Sequence, residues 1–407
     1  MPKDRVTPDT WPAVTYEEHP WQPRGAEDNA SQRQRRRHQG PYRSAVPAPI
    51  ATCAVLVSSG VAADAEEATN QIIRLDALIG GSSSNEFAPL AAVLLRTEST
   101  ASSQIEQVTA GARALALGEL GEPTGRNAEL VVRNVRAMQS AVALADEITG
   151  QSVLDMHQAL LGHHQPEIAG RWRTEQVWIG GSGLGPHHAE FVPPHHTRVP
   201  EAMRDLVAFV ARDDVPALVQ AAIAHAQFET IHPFADGNGR VGRALIHAIL
   251  RHKGLTRRLT VPISAGLLTD IDGYFDALTR YRQGDLLPLI TRVSDAAVEA
   301  ERNGRWLLDD LAAIRAGWQA RLSARRDAAV WRVVDIVLRQ PVVDTAFVAR
   351  ELAVSTVAAQ NAIDQLVSVD VLVPATSRSR NRIWQAGEVL AALDEFAARA
   401  GRRTHET

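Results

Sequence analysis

The stretch ETIHPFADGNGRVGRALIH, residues 229–247, constrains this chain more than any other. It joins two apolar patterns of helical period. Upstream these are Leu218, Val219, Ala222, Ile223 and Ala226; downstream they are Val241, Ala244, Leu245, Ala248 and Ile249. Asp213 and Asp214 ahead of Pro216 read as the start of the first helix, which ends near Thr230. Lys253 and Gly254 close the second. The link between two buried helices is therefore short, yet it holds glycines and arginines that a core turn does not need. Gly237 and Gly239 let backbone amides face a bound group at a helix N-terminus, which makes an anion hole. Asn238 adds donors and tolerates unusual backbone angles. Arg240 and Arg243, three apart, project near one another and suit a polyphosphate. Asp236 offers a hard carboxylate of the kind Mg²⁺ takes at a phosphate edge. His232, just ahead, can accept a proton from an incoming hydroxyl near neutral pH. Phe234 reads as the plug that seats the loop in the core. A capped helix turn with surface arginines is the plainer reading of any one of these residues, but not of all of them in one stretch.

Bulk properties narrow the class. At about 150 residues per domain, 407 residues give two or three domains, and a 45% hydrophobic share supplies their cores. A net charge of −4 gives no global field for nucleic acid. The single cysteine, Cys53, excludes an intramolecular disulfide framework and fits a reducing compartment. No apolar run approaches the roughly 20 residues of a membrane span, and the first 30 residues hold no signal-peptide core. The expectation is a soluble, cytoplasmic protein with no membrane contact.

Along the chain, residues 1–40 are rich in Pro, Arg, Gln and Asp and read as a disordered tail. Helices are expected over 62–79, through Leu90 to Leu95, and over 128–147, 149–162 and 200–212. RWRTEQVWIGG, SGLGPHH and AEFVPP read as a β-hairpin over 173–194, with Pro193 and Pro194 restricting its second strand to an edge or a very short one. Residues 265–320 continue helical. Residues 327–400 read as a helix over 330–338, helices over 345–352 and 356–367, and two apolar strands flanking a basic turn.

HPFADGNGRVGR resembles the Fic-domain signature, His-x-Phe-x-(Asp/Glu)-Gly-Asn-Gly-Arg-x-x-Arg, and matches it completely. Gly239 separates it from the related Doc-type kinases. The resemblance covers roughly residues 41–295, including GPYRSAVPAPI, the flap-like hairpin and PISAGLLTDIDGYFDALTRYRQGD, which resembles the segment that helps seat the nucleotide base. It implies a mainly α fold: a Fic-type helical bundle with a β-hairpin flap, followed by a small α+β winged helix-turn-helix domain. The implied division is a tail over 1–40, an N-terminal helical regulatory region over 41–120, a catalytic core over 121–295, a linker helix over 296–326 and a winged-helix domain over 327–400. It also implies a protein adenylyltransferase that moves AMP from Mg·ATP to a Ser, Thr or Tyr hydroxyl of a target, or of itself. His232 would be the base and Asp236 the metal ligand. Gly237, Asn238 and Gly239 would line the anion hole, and Arg240 and Arg243 would hold the β and γ phosphates. The target would dock on the flap by strand addition.

RTESTASSQIEQV carries a second resemblance. Ser103 and Glu106 have capping-box spacing. Ser102 and Glu106 fit the family's inhibitory motif, (Ser/Thr)-x-x-x-Glu-(Gly/Asn), whose Glu pairs with the second signature Arg. That would make Glu106 a brake acting on Arg243, with Gln107 standing where Gly or Asn is expected. The histidine pairs 163–164, 187–188 and 195–196 lack cysteines and helical metal spacing, and read as loop polarity rather than zinc ligands. In the C-terminal region Thr356, Gln360 and Asn361 would lie on a recognition helix and Arg378, Arg380 and Arg382 on a wing, giving DNA binding as one possibility. A dimerisation or target-presenting module is the other. The functional alternatives are a DNA-binding regulator with a nucleotide-sensing core, and a hydrolase that removes AMP through a water placed by Glu106.

Overall fold

Helices whose apolar stripes recur every three or four residues make up most of this chain. The computed structural model describes residues 11–21, 31–80, 88–325, 328–376 and 381–401. Strand β1 (Thr15–His19), helix α1 (Gln32–Arg37) and strand β2 (Tyr42–Val46) come first. Helices α2 (Ser59–Gly80), α3 (Ala88–Ile105), α4 (Ala112–Glu119), α5 (Arg126–Ala143), α6 (Gly150–Leu161) and α7 (Val199–Val210) follow. Then come α8 (Ala217–Ile231), α9 (Asn238–His252), α10 (Ile263–Leu268), α11 (Ile271–Arg282) and α12 (Leu287–Arg321). The last stretch holds α13 (Ala329–Arg339), β3 (Val342–Asp344), α14 (Thr345–Leu352), α15 (Thr356–Ser368), β4 (Val373–Pro374), β5 (Ile383–Gln385) and α16 (Gly387–Ala400). The chain divides into two compact units, one of residues 1–66, 140–253 and 272–294, the other of 67–139, 254–271 and 295–407. Among the described residues no helix is long and apolar enough to cross a membrane.

In the first unit α8 is buried from Leu218 to Ile231, as a helix that is apolar on all sides must be. Its polar side chains serve backbone that would otherwise be orphaned. Gln220 Nε2 donates to the carbonyls of Phe209 (2.8 Å), Val210 and Arg212 at the end of α7. Gln227 donates to the Ala48 carbonyl and accepts from the Tyr281 hydroxyl at 2.8 Å. Asp213 and Asp214 do not cap α8; they pair instead with Lys253 (2.8 Å) and Arg212 (2.7 Å).

The disordered-tail expectation fails over the described part of 1–40. Residues 15–19 pair antiparallel with β2, from Thr15↔Val46 to His19↔Tyr42. Glu17 meets Arg198 at 2.6 Å and Trp11 packs on Tyr281. A polar segment is ordered here because a neighbouring strand takes its backbone groups and aromatic anchors hold its ends. The remainder of the expected tail, residues 1–10 and 22–30, lies outside the described residues. The 173–194 hairpin turns back as expected, but only two isolated antiparallel bridges hold it, Ile179↔Phe191 and Ser182↔Gly185. Gly180 and Gly181 at φ 72° and 75° and the donorless Pro193 and Pro194 keep a ladder from extending. Two of the histidine pairs are packing elements as well as loop residues: His195 stacks on His19 at 4.5 Å, and His187 and His188 meet His38 edge-on.

In the second unit α3 is held on two sides. Glu98, fully buried, accepts from the Ser264 backbone N–H (2.8 Å) and hydroxyl at the start of α10. Asn134 of α5 donates to the Ser99 carbonyl at 2.7 Å and to Ser103 Oγ. Helix α4 had no counterpart in the sequence reading. The boundary expected between 295 and 296 falls inside the continuous helix α12. After it, the order helix, strand, helix, helix, strand, strand leads to a three-stranded antiparallel sheet, β3-β5-β4. The outward residues of α15, Thr356, Val357, Asn361, Asp364 and Gln365, include no cation. Gln360, expected on that surface, instead bonds Thr345 at 2.8 Å and Asp364. Arg382 lies over the Trp384 ring; Arg378 and Arg380 lie outside the described residues.

The end of α3 explains an odd residue. Gln107 adopts φ 60°. Its N–H donates to the Gln104 carbonyl and that of Val108 to the Ser103 carbonyl, a Schellman closure whose left-handed position favours Gly or Asn. The capping-box alternative for Ser103 and Glu106 does not form: Ser103 lies inside the last turn and its hydroxyl donates back to the Ser99 carbonyl at 2.9 Å. Replacing Gln107 with Gly removes the left-handed strain at a small entropic cost and should raise stability by about 0.5–1 kcal/mol. A denaturant titration that shows no gain would rule out strain at this position.

Candidate active site

Helix α8 ends at His232, a non-glycine residue at φ 50° and ψ 62°. Such a conformation costs free energy and holds only where its surroundings enforce it. Arg173 enforces it. This arginine, 5% exposed, donates from Nε to the His232 carbonyl at 2.8 Å and from Nη2 to the Pro194 and Ile231 carbonyls. Its own N–H donates to the Pro233 carbonyl at 2.9 Å. One buried guanidinium thus ties the base of the 173–194 hairpin to the residue that leaves α8. Burial pushes that guanidinium down to about 10.

The turn is then closed from α9. Asn238, the first residue of α9, accepts from the Phe234 N–H at 2.8 Å and donates to the Phe234 carbonyl at 2.9 Å. Its side chain points into the turn and fixes it, rather than adding donors to an open hole. Phe234 is fully buried, as expected of a plug, and stacks on His157 at 3.7 Å. Gly237 sits at φ 79°, and a Cβ there would meet Leu160 at 2.8 Å. Both the backbone angle and the close approach of α6 therefore require glycine. Gly239 follows as the second residue of α9. The first-turn amides of α9 face outward without intrahelical acceptors, as at any helix N-terminus.

His157 escaped the sequence reading. Gly170 N–H donates to its Nδ1 at 3.0 Å, so its Nε2–H is the donor to the Asp236 carbonyl at 3.1 Å. Burial first, with a nearby Arg240, pushes its pKa down to about 4 against the pull of Asp236. Its place on the helix, among Gln151, Ser152, Asp155 and Gln158, gives no local signal of that role. Asp236 is half exposed; Oδ1 accepts from Gly237 N–H at 2.6 Å and from Arg240 Nη2 at 3.4 Å, and Oδ2 accepts from Gln165 at 3.4 Å.

Arg240 and Arg243 are 7% and 1% exposed, so they are not the surface arginines of the plainer reading. Glu229, one helical turn before His232, is a second residue the sequence reading passed over. Its Oε2 lies 3.7 Å from His232 Nδ1. Burial alone would push this carboxyl up; His232, with His225 and Arg243, outweighs it and holds the group down at about 2. Gly242 makes room: a Cβ there would meet Glu229 Oε1 at 2.6 Å and Phe228 at 3.0 Å. The arrangement presents a histidine oriented by a carboxylate, two buried guanidiniums, a helix N-terminus and a half-free carboxylate within one turn. It can bind a polyanion and take a proton beside it. Ser102 and Glu106 belong to the other unit: Ser102 is buried in the last turn of α3 and Glu106 is the exposed residue after it.

Two outcomes follow for these residues. The unfolded chain protonates His157 near pH 6.5 and the folded one only near 4. Stability from this residue is full above pH 6.5 and lost as pH falls toward 4. Melts of a His157→Gln variant should therefore show a smaller loss over that window than wild type. Gly242→Ala should destabilise the chain by about 1–3 kcal/mol through overpacking against Glu229 and Phe228, measured as a lowered denaturant midpoint.

Comparison with known proteins agrees with this geometry. Residues 147–250 match the Fic/DOC family. The protein adenylyltransferase fic-1 of Caenorhabditis elegans is 32% identical over 160 residues, 38% of this chain and 28% of that protein. The protein adenylyltransferase Fic of Nematostella vectensis is 30% identical over 153 residues, 37% of this chain and 32% of that protein. The matched segment thus spans less than a third of the length of these curated relatives. A crystal structure of a Fic family protein from Desulfovibrio desulfuricans superposes with a TM-score of 0.53 at 20% identity, covering 84% of this chain and 98% of that one, a likeness of fold. The segment that matches the Fic/DOC family, residues 147–250, thus holds α8, nearly all of α9 and the turn between them.

Proposed function

We propose that the chain is a protein adenylyltransferase that moves AMP from Mg·ATP to a protein hydroxyl, with His232 as general base. The observation that carries this is the pairing of His232 with Glu229. With Nδ1 facing a buried carboxylate at 3.7 Å, the Nδ1–H tautomer is favoured and Nε2 keeps the lone pair a base requires. The target hydroxyl oxygen attacks the α phosphorus while Nε2 takes its proton. The bond to the bridging oxygen of the β phosphate breaks, and pyrophosphate leaves. Arg240, Arg243 and the α9 N-terminus would hold the β and γ phosphates. Asp236 fits a Mg²⁺ that takes one protein carboxylate plus substrate phosphates, and the ion would neutralise phosphate charge there. The target would lie along the 173–194 hairpin, which Arg173 ties to the His232 carbonyl; the chain's own hydroxyls are candidate targets as well.

Glu106 is proposed as the restraint on this activity. Arg243 can fork a carboxylate or a γ phosphate, not both. The helix–strand–helix–helix–strand–strand order supports the winged-helix reading of 327–400, and a duplex titration at low salt tests whether that module also binds DNA.

Labelled ATP supplies the test. Purified wild type and His232→Ala are compared for label transfer to protein; the variant should lose about 10²–10⁴-fold while still binding nucleotide. Transfer near the wild-type rate would remove His232 from the chemistry. Glu106→Gly should raise transfer about 10- to 1000-fold, since each ~1.4 kcal/mol of released restraint is tenfold in rate. Adding Arg243→Ala should cancel the gain. A lowered melting point with an unchanged rate would leave Glu106 a helix-end residue only.

A further inference from the structure

We infer that the C-terminal module, residues 329–400, sets the position of α3 and with it the restraint exerted by Glu106, through a buried network centred on Arg96 and Gln340. This rests on the inhibitory reading of Glu106. Arg96, on α3, is 9% exposed and its donors reach three groups. Nε and Nη2 grip both oxygens of Glu119 at 3.2 and 2.6 Å, Nη2 also reaches Gln340 Oε1 at 3.0 Å, and Nη1 donates to the Arg339 carbonyl. Gln340, 4% exposed at the end of α13, donates from Nε2 to the Ala116 carbonyl at 2.7 Å and to the Val342 carbonyl at 3.0 Å. One guanidinium and one amide therefore join α3, α4, the end of α13 and β3. A bidentate guanidinium–carboxylate pair out of water has one good geometry, so α3 follows α4, and α4 is held in turn by Gln340 of the module through the Ala116 carbonyl.

The packing farther along α3 is of another kind. A cavity of about 80 Å³ lies beside Arg96, Thr100 and Gln104, one stripe of α3, and against Leu393, Phe396 and Ala397 of α16. Here α3 meets the module with its contacts incomplete, so this stripe of the helix has room to shift against α16. From Arg96 to Glu106 is about 15 Å of rigid helix at 1.5 Å per residue. The hydrogen-bonded grip at the middle of α3 and the incomplete packing along its stripe facing α16 let the module set the helix's position, while Asn134 of α5 holds another side at Ser99 and Ser103. Arg96 and Gln340 are positioning residues in this arrangement and touch no substrate.

A double-mutant cycle tests this in the full-length chain, with label transfer from ATP as readout and melting curves as a fold check. Gln340→Leu keeps the side chain's size and removes its hydrogen bonds. It should raise transfer three- to tenfold when Glu106 is present and leave the rate unchanged in the Glu106→Gly background. A rise of equal size in both backgrounds, or none with Glu106 present, overturns the proposal. If Glu106→Gly itself fails to raise transfer, the inhibitory reading fails instead, and the two failures are told apart. Should Gln340→Leu lower folding too far, Arg96→Lys keeps the charge, loses the fork, and is held to the same pair of outcomes.

Discussion

The turn between α8 and α9 exists because one amide side chain takes both backbone groups of one buried aromatic residue. Asn238 binds the N–H and the carbonyl of Phe234, and Phe234 is anchored in turn on His157. With the turn fixed at both its aromatic and its helical end, the residues between have no freedom to drift. Asp236 and Gly237 then lie at the N-terminus of α9, and His232 leaves α8 in the one conformation that Arg173 accepts. Arg240 and Arg243 enter a core that would reject them as lone charges. They are tolerated because carboxylates and helix-end dipoles stand nearby.

Charge burial gives the site its character. Glu229 stays ionised inside the core because His232, His225 and Arg243 together outweigh desolvation. His157 does the reverse: burial keeps it neutral, so that one ring nitrogen accepts and the other donates. Of the two histidines close to one loop, His157 is a wedge under Phe234 and His232 faces the Glu229 carboxylate. Arg173 extends the same economy of contacts to the hairpin, since a single guanidinium fixes both the hairpin base and the His232 backbone.

The second unit shows how a helix can be held by polar contacts. Glu98, Asn134 and Arg96 each hold α3 from a different neighbour, and each is almost wholly buried. Such contacts are directional, so they set rotation and register along the helix axis more sharply than apolar packing does. Its end at Gln107 is closed by backbone hydrogen bonds alone, which is why a residue poorly suited to the left-handed position is still accommodated.

The sequence by itself determined the helical class, the two helices flanking the turn, and the cluster of His232, Asp236, Gly237, Asn238, Arg240 and Arg243, because apolar periodicity and glycine placement are local properties. It marked Gly237 and Gly239 alike, and the left-handed angle and close approach that require glycine are found at Gly237. It misjudged the residues at 15–19, whose order comes from a strand partner more than twenty residues away. It gave no sign of Glu229, His157, Arg173 or Gly242 as parts of the site. Each is an ordinary residue on its own element, and its importance comes from what lies across from it. A carboxylate becomes a histidine's orienting partner, or a glycine a point of helix contact, only when α8, α9, α6 and the hairpin converge. Long-range packing makes those pairings, and no local pattern encodes them.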